Sequence, residues 1–427
     1  MPLTKVTYSM IDGGTVNVND FGAVGDGIAD DTVAIQAAID TGKDVIFPSN
    51  NYKITATLKV GSQRLIGQGY APNRSRRQTQ ITVIGNIAAF ENKTDWWTSL
   101  HIEGFFIYFS DNTPTDPVAD GQKTGFNFAT ASGKYPEYSY IANCTILGAW
   151  QGIVDTTNAY KTQFNQVACR KTKRGFYKRN GTTLQLNTCS SADGDQAFNI
   201  GYCLGVQMLN CSNDNLNVTT STFDQCGNKF DHIPSLVISN YDAEVNKVTG
   251  AGTRLFFFDT VYGAIDGFTG VLNELSCTSG EEVSFFNVTA SSYVRFSAIK
   301  LDYDTDWLKF TGNGGTCYTL SSSGFCNITL TNSNFAAPTG GTPTSRYSVG
   351  AFTGSSISLI DTFTDNLVDG IGFSTKSGKT KVCTGTWDNG PMLMGNYYLW
   401  VDGAGKLRIK NGAPSSDLDG VVVGTQT

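Results

Sequence analysis

Short stretches of alternating apolar and polar residues, each closed by glycine or a polar turn, recur along most of the chain and predict strands rather than helices. Val16 and Val18 alternate with Asn17 and Asn19, and Gly22, Gly25 and Gly27 supply the turn that follows. One helix interrupts. Asp30 or Asp31 can accept from the free N–H groups of a first turn, and Val33, Ala34, Ala37 and Ala38 form one apolar stripe. Strand patterning resumes at Val45 to Phe47 ahead of Pro48, then at Leu58 to Val60 and Leu65 to Ile66.

Further on, four segments align on a cysteine: IANCTILGAWQGIV, QVACRKTKRGFYK, LNTCSSADGDQAFNI and MLNCSNDN. Their cysteines, Cys144, Cys169, Cys189 and Cys211, stand 25, 20 and 22 residues apart, intervals that suit one coil of a solenoid each. In such a stack a position recurs about 4.8 Å above itself, so small, partly apolar residues can form a buried ladder. Gly152, Gly175 and Ala197 fall at similar offsets, where a turn leaves little room. Less regular strand segments follow: SLVISNYD, RLFFFDTV, EVSFFNVTA, YVRFSAIKLD, CNITLTNSNF and SISLIDTF. The section from Ala337 to Ser345 predicts a loop, and the FFIYF run from Phe105 to Phe109 predicts burial throughout.

The order DFGAVGDG, DDT, AIQAAI and a strand ending IFP resembles the N-terminal start of the pectate-lyase-like superfamily, in the version carried by bacteriophage tailspikes and capsular polysaccharide depolymerases. The resemblance implies an all-β, right-handed parallel β-helix with a short N-terminal capping helix and a small C-terminal β segment, assembled as a homotrimer. The expected division is a neck segment at 1–20, a catalytic and glycan-binding β-helix at 21–375, and a C-terminal cap or trimerisation segment at 376–427. That last segment carries alternating strands around Asp402-Gly403 and Asp419-Gly420, both hairpin signals. Tyr397, Tyr398, Leu399 and Trp400 there could pack against two other copies or within an ordinary cap. Spikes of this kind normally carry a particle-binding domain, and about fifteen residues precede the motif here. Either that domain is missing from this chain or attachment runs through a phage tail or adaptor protein.

Composition agrees with strands and turns: 47 Gly, 26 Phe and 18 Tyr among 427 residues, with 16% charged. The opening MPLTKVTYSM lacks the apolar run of a signal peptide and no apolar stretch could span a bilayer, so neither export by the usual route nor membrane insertion is expected; the resemblance implies synthesis in the host cytoplasm and residence in the virion tail. Ten cysteines in such a chain are expected to be reduced and buried. With no C-x-x-C pair and His101 and His232 the only histidines, neither a metal nor an organic cofactor is expected. A net charge of −6 argues against nucleic acid as partner. Arg170, Lys171, Lys173, Arg174, Lys178 and Arg179 cluster locally, as either a solvated face or a patch that tolerates an acidic ligand.

Serine-nucleophile, P-loop and dinucleotide motifs are absent, which leaves carboxylates, lysines, arginines, tyrosines or a lone histidine for chemistry. Asp193 and Asp195 follow Cys189, Asp214 follows Cys211, and Asp242 and Glu244 occupy the next comparable turn. Each alone reads as a turn residue; as a set they are candidates for the paired carboxyl groups of glycoside hydrolysis. Asp259, Asp302, Asp304 and Asp306 lie further down. The resemblance implies that the central coils act on a bacterial capsular or surface polysaccharide. Trp150, Tyr177, Tyr202 and Tyr241 could stack on sugar rings or pack in the core, and Arg174 and Arg254 could meet acidic groups. A lyase is the chemical rival, with His232, Tyr241 or a lysine as base and Arg254 neutralising a uronate. A glycan-binding adhesin without catalysis is the other.

Overall fold

The computed structural model describes residues 14–69, then 78–302 apart from 94–95, 111–121, 130–133 and 279, then 316–331 apart from 324–325, the segments 348–349 and 356–360, and most of 392–423. Up to Ser356–Ile360 its described strands form one continuous parallel sheet in which segments pair with those a coil earlier and a coil later. Crossovers between parallel strands are right-handed, which makes the solenoid a right-handed β-helix. Val16–Asn17 pairs with Val45–Phe47 and that strand with Arg64–Gly67, so the stack already begins inside the segment expected as a neck. The last described parallel strand is Ser356–Ile360. The expected Ala337 to Ser345 loop lies outside the described residues.

Through the central coils the backbone turns three corners per coil, and stacked non-glycine residues make them in the left-handed region. Asn180, Tyr202, His232 and Thr260 stack at one corner with φ between 54° and 68°. Thr188, Asn210 and Asn240 mark the second, Lys171, Asp193, Asn215 and Val245 the third. Asn and Asp tolerate this conformation because their short polar side chains bond locally; a β-branched Val245 is strained there. The corners separate three faces. The first carries 174–179, 196–201, 226–231 and 254–259, the second 183–187, 206–209 and 236–239, and the third 190–192, 212–214 and 242–244.

Inward-facing residues stack on their own kind. Phe176 lies 4.9 Å from Phe198, Phe230 5.4 Å from Phe258, and Tyr241 5.6 Å from Phe268, centroid to centroid. The expected cysteine ladder is real but shifted. All four cysteines are buried and free, yet Cys144 is in register with Val167, and Ser190 with Ser212 brings Cys189 and Cys211 together, while Cys169 sits over Ile146 two positions along. The Gly152, Gly175, Ala197 alignment holds, since Ile153, Phe176 and Phe198 stack beside it. A Cβ on Gly175 would lie 2.5 Å from Ser191 Oγ and 2.7 Å from the Ala197 carbonyl oxygen.

At the N-terminal end the helix Thr32–Asp40 covers the open stack. Asp30 Oδ1 accepts from Thr32 N at 3.1 Å, as expected of one of the two aspartates, whereas Asp31 accepts from Val24 N. The buried stripe is Ile35, Ala38 and Ile39, with Val33 82% exposed, so of the expected stripe Ala38 alone lies on the fully buried face. Phe105, Phe106, Ile107 and Phe109 are buried as FFIYF predicted, while Tyr108 is half-buried. At the other end Met392–Met394, Tyr397–Val401, Leu407–Asn411 and Val421–Val422 make an antiparallel sheet whose hairpins turn near Asp402 and Asp419. Of the apolar run at 397–400, Tyr398 alone has a described side chain, half-buried.

One interior column breaks the apolar rule. Phe128, Asp155, Lys178 and Ile200 are stacked, and Lys178 Nζ lies 3.1 Å from Asp155 Oδ1 and donates to the Thr157 carbonyl at 2.7 Å. Removing one partner of such a pair strands the other charge in the core and costs about 3–5 kcal/mol. Asp155→Ala should therefore lower the urea midpoint sharply, and the double change Asp155→Leu with Lys178→Met should recover most of it; equal losses would show that the pair is not held as an ion pair. Gly175→Val should abolish soluble expression, because its branched side chain would meet backbone of the next coil; a folded variant with an unchanged melting temperature would contradict the close approach.

Candidate functional site

Where the third face meets the first, the sheet brings carboxylates together. Ser212, Asn213 and Asp214 pair with Asp242, Ala243 and Glu244, so Asp214 and Glu244 share one outward column on adjacent coils and Asp242 flanks them two residues away. Strand alternation sends Asn213 and Ala243 inward and leaves the three acids on the outside. Burial pushes the Asp214 carboxyl up, and the charges of Glu244 and Asp193 add to it. Glu244 is pushed up by Asp242 beside it. Arg170 stands two coils away in the same column. The strained corner residue Val245 follows Glu244 directly.

The other two acids occupy different places. Asp193 is a left-handed corner residue whose Oδ1 accepts from Asn215 Nδ2 at 2.8 Å. Asp195 lies past the corner and pairs with Lys173 at 3.2 Å; burial raises its carboxyl while the lysine opposes the shift. Asp259 lies on the first face in register with Asp231.

That first face is a plane of cations and rings. The Arg174 guanidinium lies 4.4 Å from the Tyr177 ring and 3.9 Å from the Phe223 ring, and Trp150 packs edge-on against Phe223 at 6.4 Å. Phe223 arrives on the loop after Asn217–Val218, a strap folded over the face: Gln196 Nε2 donates to the Phe223 carbonyl at 2.9 Å. Asp224 on the same strap accepts from Asn199 at 2.8 Å and Lys229 at 3.0 Å, which hold its carboxyl below the usual range although burial opposes this. Arg179 pairs with Asp231 and donates to Asn199. Next to it, at the first corner, His232 Nδ1 lies 3.3 Å from Asp231 Oδ2 and its ring stacks on Tyr202 at 4.5 Å. Arg254 stacks on Phe257 at 4.1 Å and donates to Asn287.

Two sequence expectations are corrected. Tyr241 is 1% exposed, its hydroxyl donates to Asn213 at 2.7 Å inside the coil, and burial pushes its phenol well above the ordinary range, so it neither stacks on a sugar nor serves as a base. The basic cluster is no single patch: Arg170 faces outward on the third face, Lys178 points into the core, and Lys173, Arg174 and Arg179 are divided among three different partners. Trp150, Tyr177 and Arg174 do come together, whereas Tyr202 belongs to the corner with His232 and Arg254 lies further along the face. Phe223, Asp224, Lys229, Asp231 and Phe257 were not legible as site residues, because only the strap and the stacking of coils bring them there. Among the described residues no cluster of His, Cys, Asp and Glu could hold a metal ion.

Comparison with known proteins agrees with this architecture. The gp42 tailspike of Acinetobacter phage vb_AbaP_AS12 superimposes with a TM-score of 0.52 at 14% identity, over 92% of this chain and 74% of that one. Tailspike protein 3 of bacteriophage CBA120 gives 0.50 at 12% identity, over 99% and 73%. These likenesses show the fold. In sequence, the mannuronan C5-epimerase AlgE6 of Azotobacter vinelandii is 53% identical over 79 residues, which are 17% of this chain and 9% of that enzyme. The chain thus spans under a tenth of the length of the curated relatives it matches. Residues 315–425 match the family model described as capsule depolymerase. The model described as rhamnogalacturonase A/epimerase, pectate lyase-like, matches residues 15–254, more than half of the sequence, and the chain belongs to that family.

Proposed function

We propose that this chain is a phage tailspike depolymerase that binds and cleaves a bacterial capsular or surface polysaccharide, by hydrolysis at Asp214, Asp242 and Glu244. The capsule-depolymerase match at residues 315–425 and the tailspike fold support the substrate class. The observation that carries the chemistry is the shared column of Asp214 and Glu244. Adjacent coils lie about 4.8 Å apart, near the separation of about 5 Å that a retaining pair of carboxyl groups needs. A general acid must hold its proton near the working pH, and the upward shifts at Asp214 and Glu244 have that sense. Within that pair Glu244, raised by the Asp242 charge beside it, is then the general acid and Asp214 the nucleophile, with Asp242 setting the protonation of Glu244. Asp193 and Asp195 serve the corner and the Lys173 pair. Trimeric assembly, a virion location and attachment through a tail or adaptor protein complete the reading.

A lyase reading is favoured by one feature, the Asp231 and His232 contact on the first face, where a carboxylate orients an exposed imidazole beside Arg179. Its product is an unsaturated uronate that absorbs in the ultraviolet, which hydrolysis does not form.

Asp214→Asn, Asp242→Asn and Glu244→Gln should each lower the release of reducing ends from capsule by about 100-fold or more, with His232→Ala nearly unchanged. An ultraviolet-absorbing product lost in His232→Ala would establish the lyase, and polymer of unchanged length with every variant and wild type would leave an adhesin. Stability should move the other way. An acid raised in the folded state binds protons there that the unfolded chain has released, so stability falls as pH rises from the unfolded toward the folded value. Glu244→Gln should therefore raise the melting temperature at pH 7 and give no gain near pH 3; a lower melting temperature at pH 7 would contradict the crowding of these carboxyls.

A further inference from the structure

We infer that the first face, with Arg174 and Arg254 as two fixed cations, selects an anionic polysaccharide whose negative groups recur at the spacing of those arginines. The inference deepens the depolymerase reading and rests on it, but not on whether cleavage is hydrolytic.

Both guanidiniums are built alike. Each lies over an aromatic ring, Arg174 over Tyr177 and Phe223 and Arg254 over Phe257. Each donates one protein hydrogen bond to a neutral amide oxygen, Gln151 for Arg174 at 3.2 Å and Asn287 for Arg254 at 3.2 Å. The buried Nε of each has no hydrogen-bond partner among the described residues. Among the described residues neither forms an ion pair, in contrast to Arg179, Lys173 and Lys229 on the same side of the molecule. The nearby Asp224 carboxylate is turned to Lys229 and Asn199. Burial accordingly lowers both arginines from their ordinary value without a bonded carboxylate to offset it.

A partly desolvated cation held by rings and neutral amides, with the Asp224 charge near but no carboxylate bonded to it, is costly unless something anionic completes it. The planar guanidinium suits a carboxylate or a phosphate, either of which it can bind through two parallel N–H groups. Arg174 is in register with Gln196 one coil on, that column continues through Cys226, and Cys226 pairs with Arg254. Three coil steps place the two charges about 14 Å apart along the axis, with Gln196 buried beneath the strap between them. A polymer laid along the axis meets both cations only if its anionic groups recur at that interval. The chain's overall charge of −6 makes such a local match selective, since an anionic polymer is repelled elsewhere.

The test is a binding screen of the full chain against purified capsular polysaccharides, both anionic and neutral, with size analysis of each polymer afterwards. The expected hit is anionic, loses about tenfold in affinity for each of Arg174→Gln and Arg254→Gln, and weakens on raising salt. Carbodiimide and borohydride reduction removes uronate carboxylates and leaves phosphodiesters, so loss of binding on reduction assigns carboxylate, and retention by a polymer that carries phosphate assigns phosphate. Arg174→Lys and Arg254→Lys keep the charge and should retain part of the salt dependence. If both glutamine variants lower the melting temperature but bind with unchanged affinity, the arginines are packing elements and the inference falls. Cleavage of a neutral polymer overturns the charge selection alone, while a panel in which nothing is bound or shortened overturns the polysaccharide reading with it.

Discussion

In-register hydrogen bonding between successive parallel coils places each residue about 4.8 Å from its counterpart above and below, and both the core and the surface follow from that spacing. Inside, a phenylalanine in one coil invites a phenylalanine in the next, as with Phe176 and Phe198 or Phe230 and Phe258. A polar residue facing inward must find its partner inside as well. Asn213, Asn228 and Tyr241 do so through bonds of 2.7 to 3.2 Å, and Lys178 does so through Asp155. Outside, the same spacing turns residues about 20 to 30 positions apart in sequence into neighbours, which is how Asp214 comes to crowd Glu244.

The corners make the register tolerable for a chain that is not a simple repeat. Coils differ in length because loops are added where the third face turns into the first, at 219–225, at 250–253 and after Ser276. Those additions leave the paired strands in place and build relief over the first face. The 219–225 strap is the clearest case: it sets Phe223 against Arg174 and Asp224 against Lys229, and so converts an ordinary sheet surface into a walled plane. Acids on one side of the third corner and cations with rings on the other give the molecule two chemically distinct strips running along one edge.

Much of the fold was legible in the sequence for a physical reason: burial on one side of a strand writes period two into it, and glycine or asparagine marks some of the bends. The strands at Val45–Phe47 and Leu58–Val60, the terminal hairpins and the buried FFIYF run follow directly from such patterns. The helix was legible in position but not in facing: the stripe expected through Val33 and the alanines is the less apolar one, and the helix buries the larger side chains of Ile35 and Ile39 with Ala38 against the open end of the stack. The cysteine alignment failed by two residues at Cys169, since any small apolar residue serves in the column and Val167 takes the place.

The site divides along the same line. By its own pattern the sequence determined a parallel solenoid with a capped start, central coils rich in carboxylates, and the start motif of the pectate-lyase-like family, because each of these rests on local periodicity or a contiguous motif. Only the tertiary structure decided that Asp214, Asp242 and Glu244 share a strip while Asp193 and Asp195 do not, that Tyr241 is interior, and that Arg174 and Arg254 stand on one face without a carboxylate partner. Those facts depend on coil length and register, and a single inserted loop of a few residues shifts every later pairing without altering any local pattern.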